Sequence, residues 1–419
     1  MGQALPEDTA DVVVIGAGIV GIAAACHLVE DGRSVLLIDR DAPARGASFG
    51  NAGALAFSDV MPLASPGIMR KAPGWLLDPL GPLAIPPSYL PRIAPWLWRF
   101  WRASRPDRAR HSMLAQVAIM QLARSAMEGL VARAGLDAMV RDDGALELYE
   151  SEAEWRASLP GWDARAKEGI AFEHLRGDAI AALQPGLAPG FTVATFVPGW
   201  KNVTDPHQFA LALATYARRQ GAALRRAAVR AVEPMEGGVR VVLEGREAIA
   251  ARHVVIACGA WSRPLARGLG DAVPLETERG YNTTLPAGAF DLRRHLTFPG
   301  HGFVVTRIGD GVRVGGAVEL GGLERPPDFR RSEAMLAKAL RFLPGLRTEG
   351  GTQWMGLRPS LPDSLPVIGP SRAMDLIIYA FGHGHLGLTQ SAATGRLVAD
   401  LVAGRAPALD IVPFSAQRF

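Results

Sequence analysis

Residues 12–21 read VVVIGAGIVG. The β-branched run predicts a buried strand, and a helix is expected to begin near Ile19, after the glycines. Gly16, Gly18 and Gly21 have the spacing G-x-G-x-x-G. In that pattern the first glycine permits a tight turn, the second lets the backbone approach a pyrophosphate, and the third permits close packing of helix on strand. The helix N-terminus would present free N–H groups and a positive dipole to the phosphates.

A second apolar strand is expected at residues 35–38, and it ends at Asp39, 18 residues after Gly21. A carboxylate at that place is positioned to accept hydrogen bonds from ribose hydroxyls. Strand, glycine turn, helix, strand and acid in this order predict a bound dinucleotide. The alternative is a coincidental glycine-rich turn, which would not explain an acidic residue at position 39. The motif alone does not distinguish NAD from FAD.

Length and composition are those of a globular protein with room for two cores: 419 residues, 48% hydrophobic and 21% charged. The two cysteines, Cys26 and Cys258, cannot form a disulfide framework, and both lie in segments expected to be buried, which suits a reducing compartment. The sequence contains neither a secretory signal nor an uninterrupted apolar run of about 18 residues. A cytoplasmic protein is therefore expected.

Positive charge and tryptophan are concentrated in one segment. Residues 60–111 hold eight Lys/Arg against two Asp, a net charge of +6, together with four of the nine tryptophans. Tryptophan interleaved with arginine is typical of the headgroup layer of an anionic membrane, so residues 66–105 are a candidate for peripheral contact at the cytoplasmic face of the inner membrane. The alternative is an insertion packed on its own domain. No nucleic-acid-binding module is recognisable, so no nucleic-acid partner is expected.

The chain reads as an α/β protein whose cofactor-binding domain is discontinuous. Strong α/β signals assign residues 1–60, 196–265 and 353–419 to that domain, and residues 61–195 and 266–352 to a second, substrate-binding domain. The second domain is expected to contain β-hairpins, for example around residues 309–310. Further strands are expected at 223–232, 253–257 and 376–380, and helices at 113–134, 206–220 and 390–403.

Two more segments carry candidate chemistry in the cofactor-binding domain. Residues 45–53 are mostly small and glycine-rich, so their backbone can lie flat against a ligand, although a surface loop would have a similar composition. The strand at 253–257 ends where strand C-termini line the crevice of such a sheet. Cys258 at that end is either a reactive thiol or, as is commoner, a side chain that fills a tight space.

The C-terminal part offers an arginine and a second glycine-rich run. Arg358 stands between Leu357 and Pro359 and would be a rigid fork for a carboxylate. Residues 382–389 offer closely spaced backbone donors before a helix, which suit a developing negative charge. The alternation His383-x-His385 invites a zinc site, but no nearby Cys or acid completes a ligand shell, so no metal is expected.

These motifs together resemble the FAD-dependent D-amino-acid oxidase/dehydrogenase superfamily, which includes glycine and sarcosine oxidases. The segments most similar to its bacterial D-amino-acid dehydrogenases are residues 48–53, 66–101, 279–281 and 382–389. Within that branch the chain looks like relatives that act on D-proline or cis-4-hydroxy-D-proline. The resemblance implies a Rossmann-like FAD-binding domain and an α+β substrate domain with an antiparallel sheet.

The resemblance also implies roles for individual residues. Arg358 would clamp the substrate carboxylate, Tyr281 would offer a substrate-side hydroxyl, and His301 is a weaker candidate for the substrate pocket. FAD would be bound non-covalently. The implied cofactor-contacting residues are Gly16, Gly18, Ile19, Val20, Gly21, Asp39, Arg40, Ala47, Ser48, Asn51, Ala52, Gly53, Val229, Cys258, Gly259, Trp261, Gly356, Gly384, His385, Leu386, Gly387, Leu388 and Thr389.

The implied reaction is oxidation of the Cα–N bond of a D-amino acid by hydride transfer from Cα to flavin N5, with electrons passed to a quinone or another respiratory acceptor. One alternative is an amino-acid, sarcosine or glycine-type oxidase that uses oxygen. An alternative of another class is an FAD-binding module of a nucleic-acid-modifying or partner protein, and the concentration of net positive charge in one segment disfavours it. An NAD(P)-dependent dehydrogenase would leave residues 48–53 and 382–389 unexplained.

Overall fold

The computed structural model describes residues 10–68, 74, 81 and 83–419. Its helices are α1 Ile19–Glu30, α2 Leu90–Ala103, α3 Pro106–Ala134, α4 Glu152–Lys167, α5 Asp178–Leu183, α6 Pro206–Arg219, α7 Ser262–Gly268, α8 Arg330–Phe342 and α9 Gly387–Val402. Its strands are β1 Ala10–Ile15, β2 Val35–Asp39, β3 Ala54–Leu55, β4 Leu83–Ala84, β5 Val140–Arg141, β6 Ala145–Tyr149, β7 Glu173–Arg176, β8 Val193–Val197, β9 Lys201–Val203, β10 Ala223–Arg226, β11 Val229–Met235, β12 Gly238–Leu243, β13 Ala248–Ile256, β14 Glu276–Leu285, β15 His295–Phe298, β16 Phe303–Ile308, β17 Gly311–Leu320, β18 Thr352–Ser360, β19 Val367–Pro370 and β20 Ile377–Phe381.

The first sheet, which has eight strands in the described part of the chain, carries the G-x-G-x-x-G segment. Six of its strands have the order β10-β2-β1-β13-β12-β11. Strand β20 pairs with the end of β13, and β19 pairs with β20. Strands β10, β2, β1, β13 and β20 are parallel. Helices α1, α6 and α9 cover one face, while α7 and the β11-β12 hairpin pack on the other side. The middle of β1 is fully buried because both faces of a parallel sheet are covered.

The strand predicted at 223–232 is in fact two strands. β10 ends at Arg226 and pairs in parallel with β2, whereas β11 begins at Val229 and pairs antiparallel with β12. Between them, the N–H of Ala227 donates to the carbonyl of Asp39. The run of strand-forming residues is interrupted because its pairing partner changes, and strand propensity does not report pairing partners.

The second sheet has nine strands among the described residues, in the order β18-β14-β17-β16-β15-β6-β8-β7, with β4 paired to β17. Most of its pairs are antiparallel, as predicted for the second domain. One face packs on α8 around an aromatic and aliphatic cluster that includes Phe298, Phe303 and Phe342. The other face is turned toward the first sheet, so a cavity forms between the two.

Two parts of the chain depart from the predicted division into domains. β18 pairs with β14 in the second sheet, so the boundary predicted at residue 353 is wrong for residues 353–360. Helix α3 packs on α1 and α9, with Ile119, Met127 and Leu130 in their common core. This helix therefore belongs to the helical layer of the first sheet, although residues 61–195 were assigned to the second domain. A long apolar helix face indicates burial but does not indicate which sheet it covers.

The tryptophan-rich segment is only partly within the described residues, and Trp75 lies outside them. In α2, Trp96 is buried against Ile93 and Leu320, whereas Trp98 and Trp101 are 58% and 39% exposed. The rings of Trp98 and Trp101 are 4.7 Å apart. Among the described residues, none of the helices has the length and apolar character needed to cross a membrane.

Candidate functional site

A cavity of about 1050 Å³ lies between the C-terminal edge of the first sheet and the open face of the second. It extends from the turn after β1 to Arg358 on β18. Most of the residues implicated by the sequence line it: Gly16, Gly18, Ile19, Val20, Asp39, Arg40, Ala47, Ser48, Asn51, Ala52, Val229, Cys258, Gly259, Trp261, Gly356, Arg358, Gly384, His385, Leu386, Gly387, Leu388 and Thr389. The fold thus brings three distant parts of the chain to one cleft.

The glycines of the first turn have different physical roles. Gly16 has φ +108°, and a Cβ on it would lie 2.4 Å from the carbonyl oxygen of Ala257. A Cβ on Gly21 would lie 1.8 Å from the carbonyl oxygen of Gly16. At Gly18 the nearest atom to a Cβ is Ser48 Oγ at 3.5 Å. Gly16 and Gly21 therefore shape the turn, whereas Gly18 keeps the start of α1 open to a ligand.

Two predicted cofactor contacts support the cavity wall without lining it. Gly21 lies beneath the turn, as the contact with Gly16 requires. Gly53 has φ +69°, donates its N–H to Asn51 Oδ1 and accepts the N–H of Val203 at 2.7 Å. Direct contact with the cofactor stays a prediction for both, and their surroundings favour a backbone role, because a motif position does not distinguish a ligand contact from a backbone requirement behind it.

Asp39 is held rigidly at the end of β2. Its Oδ2 accepts the N–H of Ala17 at 2.7 Å and its Oδ1 accepts the N–H of Asp41 at 2.9 Å. A carboxylate with one hydrogen bond on each oxygen retains lone pairs for hydroxyl donors. Beside it, the guanidinium of Arg40 lies 4.1 Å from the ring centroid of Trp261, in the geometry of a cation–π contact.

The surroundings of Cys258 favour a packing role over a reactive thiol. Its Sγ donates to the carbonyl of Ile15 at 3.2 Å. Burial, with a smaller contribution from Asp39, raises the pKa of Cys258 to about 12. The thiol is therefore protonated at neutral pH, and a protonated thiol is not nucleophilic.

Side chains of the second sheet hold the small-residue loop 45–53 in place. Asn282 on β14 donates from Nδ2 to the carbonyl of Gly50 at 2.7 Å. Arg313 on β17 donates to the carbonyl of Asn51, and burial lowers the pKa of Arg313 to about 10. The ring of Trp354 covers Gly50 and also Gly356, where a Cβ would lie 2.4 Å and 2.1 Å from ring atoms. No local sequence signal indicated Asn282, Arg313 or Trp354, which lie more than 200 residues from the loop they support.

The C-terminal glycine run forms the opposite wall. Gly384 has φ +56° and donates its N–H to the carbonyl of Pro359 at 2.7 Å, which ties the run to β18. Helix α9 begins three residues later and directs its N-terminus into the cavity. His383 is hydrogen-bonded to Thr394 Oγ1, and burial lowers the pKa of His383 to about 3, so this ring is neutral. The described residues contain no group of three or more His, Cys, Asp or Glu side chains able to hold a metal ion.

His385 forms an ion pair that the sequence did not indicate. Its Nε2 lies 3.2 Å from Oδ2 of Asp59, and Asp59 lies 4.0 Å from Arg165. Burial by itself would lower the pKa of His385, but the Asp59 carboxylate outweighs burial and the pKa is raised. Burial would likewise raise the pKa of Asp59, but His385 and Arg165 lower it. The two shifts therefore favour the ionised forms of both partners, whose opposite charges offset each other at the cavity wall near the start of α9.

Arg358 is the cation at the second-sheet end of the cavity. Its guanidinium lies flat over Gly280, where a Cβ would be 2.2 Å from Nη2. Its Nη1 donates to the carbonyl of Ala317 at 3.1 Å, and its remaining N–H groups have no hydrogen-bond partner among the described residues. Burial lowers the pKa of Arg358 and the nearby charge of Glu278 opposes that shift. An arginine remains protonated even so, and its free donors can bind a carboxylate.

The other two predicted catalytic residues do not present their polar groups to the cavity. Tyr281 is 1% exposed and packs toward α8, and its hydroxyl donates to Glu319 and accepts the N–H of Asp328. His301 does not line the cavity, and its Nε2 is hydrogen-bonded to Glu150 at the surface. Their roles as substrate contacts stay predictions, which this geometry does not support. Tyr281 is among the residues that line the cavity, but strand alternation directs its side chain to the face opposite that of Gly280.

FAD fits these residues on structural grounds. The cavity is long and continuous from the first turn to the second sheet. At its first-sheet end it offers the open N-terminus of α1 beside Gly18 for phosphates and the fixed carboxylate of Asp39 for hydroxyls. At its other end it offers the small-residue loop 45–53 and the N-terminus of α9, which suit a flat ring that gains negative charge.

The comparison with known protein families decides the cofactor. A family model described as FAD dependent oxidoreductase matches residues 11–401. The chain belongs to this family. The prediction of FAD and of a Rossmann-like domain with a second, substrate-binding domain is thereby confirmed, and the NAD(P)-dependent alternative is set aside.

Individual relatives are similar over nearly the whole chain. The D-amino-acid oxidase of Bradyrhizobium diazoefficiens is 38% identical over 97% of this chain and 98% of its own length. The D-amino acid dehydrogenase of Rhizobium johnstonii is 31% identical over 97% of this chain and 99% of its own length. Among solved structures, glycine oxidase from Geobacillus kaustophilus has a TM-score of 0.76 at 24% identity, covering 98% of this chain and 99% of that one. L-proline dehydrogenase from P. horikoshii has the same TM-score at 19% identity, covering 99% and 98%. At these identities the two structures show the fold alone.

Proposed function

We propose that this FAD-dependent oxidoreductase is a D-amino-acid dehydrogenase that oxidises the Cα–N bond of its substrate, with D-proline and cis-4-hydroxy-D-proline as candidate substrates. The observation that carries the proposal is the guanidinium of Arg358, which lies in the same cavity as the loops expected to hold the flavin. The names of the relatives at 31% and 38% identity, D-amino acid dehydrogenase and D-amino-acid oxidase, support the substrate class.

The chain's own residues supply binding and orientation. Arg358 binds the carboxylate through paired N–H donors, which fixes the direction of the Cα–H bond. Gly280 lets the guanidinium of Arg358 lie against the strand, and Gly356 does the same for the ring of Trp354. The N-terminus of α9 favours negative charge at the facing wall. Non-covalently bound FAD supplies the two-electron acceptor.

The test is anaerobic flavin bleaching across a panel of D- and L-amino acids that includes both enantiomers of proline and hydroxyproline. We expect D-amino acids to bleach the flavin and L-amino acids not to do so. A carboxylate clamp fits either hand, so the panel decides the stereochemistry. FAD is expected to leave the protein on acid denaturation, because its attachment is non-covalent. If no amino acid reduced the flavin, the proposed function would be wrong.

A quinone or another respiratory acceptor is proposed as the electron acceptor. The oxygen-using oxidase is the second candidate, and the relative named D-amino-acid oxidase favours it. The yield of hydrogen peroxide per substrate oxidised in air separates the two. A yield close to one would establish the oxidase, whereas turnover that requires an added quinone and releases little peroxide would support the dehydrogenase.

Peripheral contact with an anionic membrane through residues 66–105 is part of the same proposal. The exposed, adjacent rings of Trp98 and Trp101 support it, together with Arg99, Arg102 and Arg105 on the same segment. Binding to vesicles of anionic lipid should exceed binding to neutral vesicles, and it should weaken with salt and with the double substitution Trp98→Ser and Trp101→Ser. Equal, negligible binding to both vesicles would remove the membrane contact and leave the catalytic proposal intact.

A further inference from the structure

The cavity contains a carboxylate that the proposed chemistry has not used. Glu278 lies on β14, lines the cavity and is 4% exposed. Strand alternation places Glu278, Gly280 and Asn282 on the cavity face, and Tyr281 on the opposite face. Glu278 therefore belongs to the same surface as the residues that hold the loop 45–53 and the guanidinium of Arg358.

Glu278 and Arg358 are direct neighbours on two paired strands. Their charged groups do not form an ion pair with each other. In the register of β14 and β18, Glu278 lies opposite Arg358. The guanidinium is directed away, over Gly280 and toward the carbonyl of Ala317. Within the described residues, Glu278 makes no ion pair with a Lys, Arg or His at 4.0 Å or less. Opposite charges thus face one cavity, separated by a glycine.

Glu278 has fewer hydrogen-bond and ion-pair partners among the described residues than other carboxylates of this sheet. Both oxygens of Glu276 accept from the hydroxyl of Tyr89. Glu319 is paired with Arg279 at 3.5 Å and with Arg325 at 3.2 Å, and it also accepts from Tyr281. For Glu278 the described part of the chain supplies one hydrogen bond, from the hydroxyl of Ser360 to Oε1. A buried carboxylate is costly unless it is paired, so the missing partner is expected to come from a ligand.

We infer that Glu278 binds the amino group of the substrate while Arg358 binds its carboxylate. The inference rests on the proposed function, because it takes the ligand of Arg358 to be an amino acid. An amino acid carries its ammonium and carboxylate groups on one carbon atom, and Glu278 and Arg358 line the same cavity from neighbouring strands, so one such ligand can contact both. Glu278 is accordingly a specificity-determining residue: it selects amino acids over carboxylic acids that lack the nitrogen.

The discriminating ligands are 2-aminoisobutyrate and isobutyrate. The first has no Cα–H bond and cannot be oxidised, and the second is the same carboxylate with a hydrogen in place of the amino group. Binding of each to the FAD-loaded enzyme is measured by titration calorimetry, which does not depend on turnover. The wild-type protein is expected to prefer 2-aminoisobutyrate by roughly 10- to 100-fold, the scale of a charge-assisted hydrogen bond.

The decisive variant is Glu278→Gln, which keeps the shape and removes the charge. Its preference for 2-aminoisobutyrate is expected to fall to within about threefold, while its affinity for isobutyrate is retained or increased. Glu278→Asp keeps the charge and should keep most of the preference, so it provides a rescue that a purely structural role would not produce. The matched control is Glu276→Gln, on the same strand and outside the cavity lining, which should leave the preference unchanged.

The outcomes separate the inference from the proposed function. If Glu278→Gln retained the wild-type preference, the inference would be overturned and the proposed function would stand. If the wild-type enzyme bound neither compound, the carboxylate site at Arg358 would be wrong, and the inference with it. If both Glu278→Gln and Glu278→Asp lost flavin and thermal stability together, Glu278 would be a structural residue and the inference would be overturned.

Discussion

The two ends of the cavity differ in the kind of group that lines them, backbone at one end and charged side chains at the other. At the first-sheet end the contacts come mainly from backbone, and glycines such as Gly16 and Gly18 matter because they lack a side chain. At the second-sheet end they come from charged side chains, Glu278 and Arg358, presented by neighbouring strands. A site formed by backbone groups is disrupted when a substitution adds a side chain. A site formed by charged side chains is disrupted when a substitution removes the charge. The substitutions below test this contrast, from the largest expected effect to the smallest.

Gly16→Ala and Gly21→Ala should have the largest effect. Each Cβ would meet a backbone oxygen, at 2.4 Å and 1.8 Å respectively, and Gly16 also has a positive φ. We expect loss of FAD and of most folded protein, measured as the flavin-to-protein ratio and by thermal unfolding. Gly18→Ala is the matched control, because its Cβ meets only Ser48 Oγ at 3.5 Å. It should fold normally and bind FAD roughly tenfold more weakly, the scale of one lost hydrogen bond.

Normal flavin content in Gly16→Ala would contradict the view that this turn admits no side chain. Equal losses in Gly16→Ala and Gly18→Ala would show that the two glycines do not have the separate roles that their surroundings assign to them.

Arg358→Met should leave FAD bound and raise the KM for the amino acid by roughly 100-fold, because paired charge-assisted hydrogen bonds are lost. Arg358→Lys should recover part of that loss, since a lysine supplies charge without the planar fork. Steady-state kinetics and the flavin-to-protein ratio are the measurements. An unchanged KM in Arg358→Met would remove this residue from the substrate site.

Asp59→Asn should reduce stability in a pH-dependent manner. The pKa of His385 is raised above its ordinary 6.5, so its contribution is complete below that value and is lost as the pH rises through the raised pKa. The pKa of Asp59 is lowered below its ordinary 3.8, so its contribution is present above that value and is lost as the pH falls through the lowered pKa. The difference in thermal unfolding between wild type and variant should therefore be largest near pH 5–6 and smallest near pH 9.

His385→Asn should show the same pH dependence as Asp59→Asn, because each variant removes one partner of the same ion pair. A difference from wild type that was constant from pH 5 to pH 9 would mean that the loss came from packing and not from charge.

Tyr281→Phe should have the smallest effect on the reaction. The hydroxyl is hydrogen-bonded to Glu319 away from the cavity, so the KM should stay within about twofold of wild type. Stability should fall by about 1 kcal/mol, the value of one hydrogen bond, as measured by denaturant unfolding. His301→Ala is a useful companion, because its ring does not line the cavity and its loss should leave the KM unchanged. A KM raised tenfold in either variant would return that residue to the substrate site.

The first-sheet end was predictable because its signals are local. Within residues 12–39 the strand, turn, helix and acid follow one another, and each feature limits the backbone conformation of its neighbours. The sequence also indicated Arg358, since an arginine between an apolar residue and a proline suggests a fixed cation; it lines the cavity, and its binding of a substrate carboxylate stays a prediction. The run at 382–389 was found because it combines glycines with the start of a helix.

The second-sheet end was only partly predictable. Strand β14 has residues that alternate between the cavity and α8, and the alternation would have grouped Glu278 with Gly280 and Asn282. Almost every residue of that strand is buried, however, so hydropathy does not indicate which face is which. For this reason the sequence did not indicate that the hydroxyl of Tyr281 is directed toward Glu319. Asp59 and Arg313 carried no local signal, because their partners are more than 200 residues away.

The sequence by itself determined that this chain binds a dinucleotide at the end of β1 and orders a parallel sheet around it, because those requirements act between residues close in the chain. Only the tertiary structure decided which side chains meet at the far end of the cavity. There, Glu278 and Arg358 come together across strands separated by about 80 residues, and Asp59 meets His385 across more than 300. Pairings of that kind depend on strand register and sheet order, which no short stretch of sequence encodes.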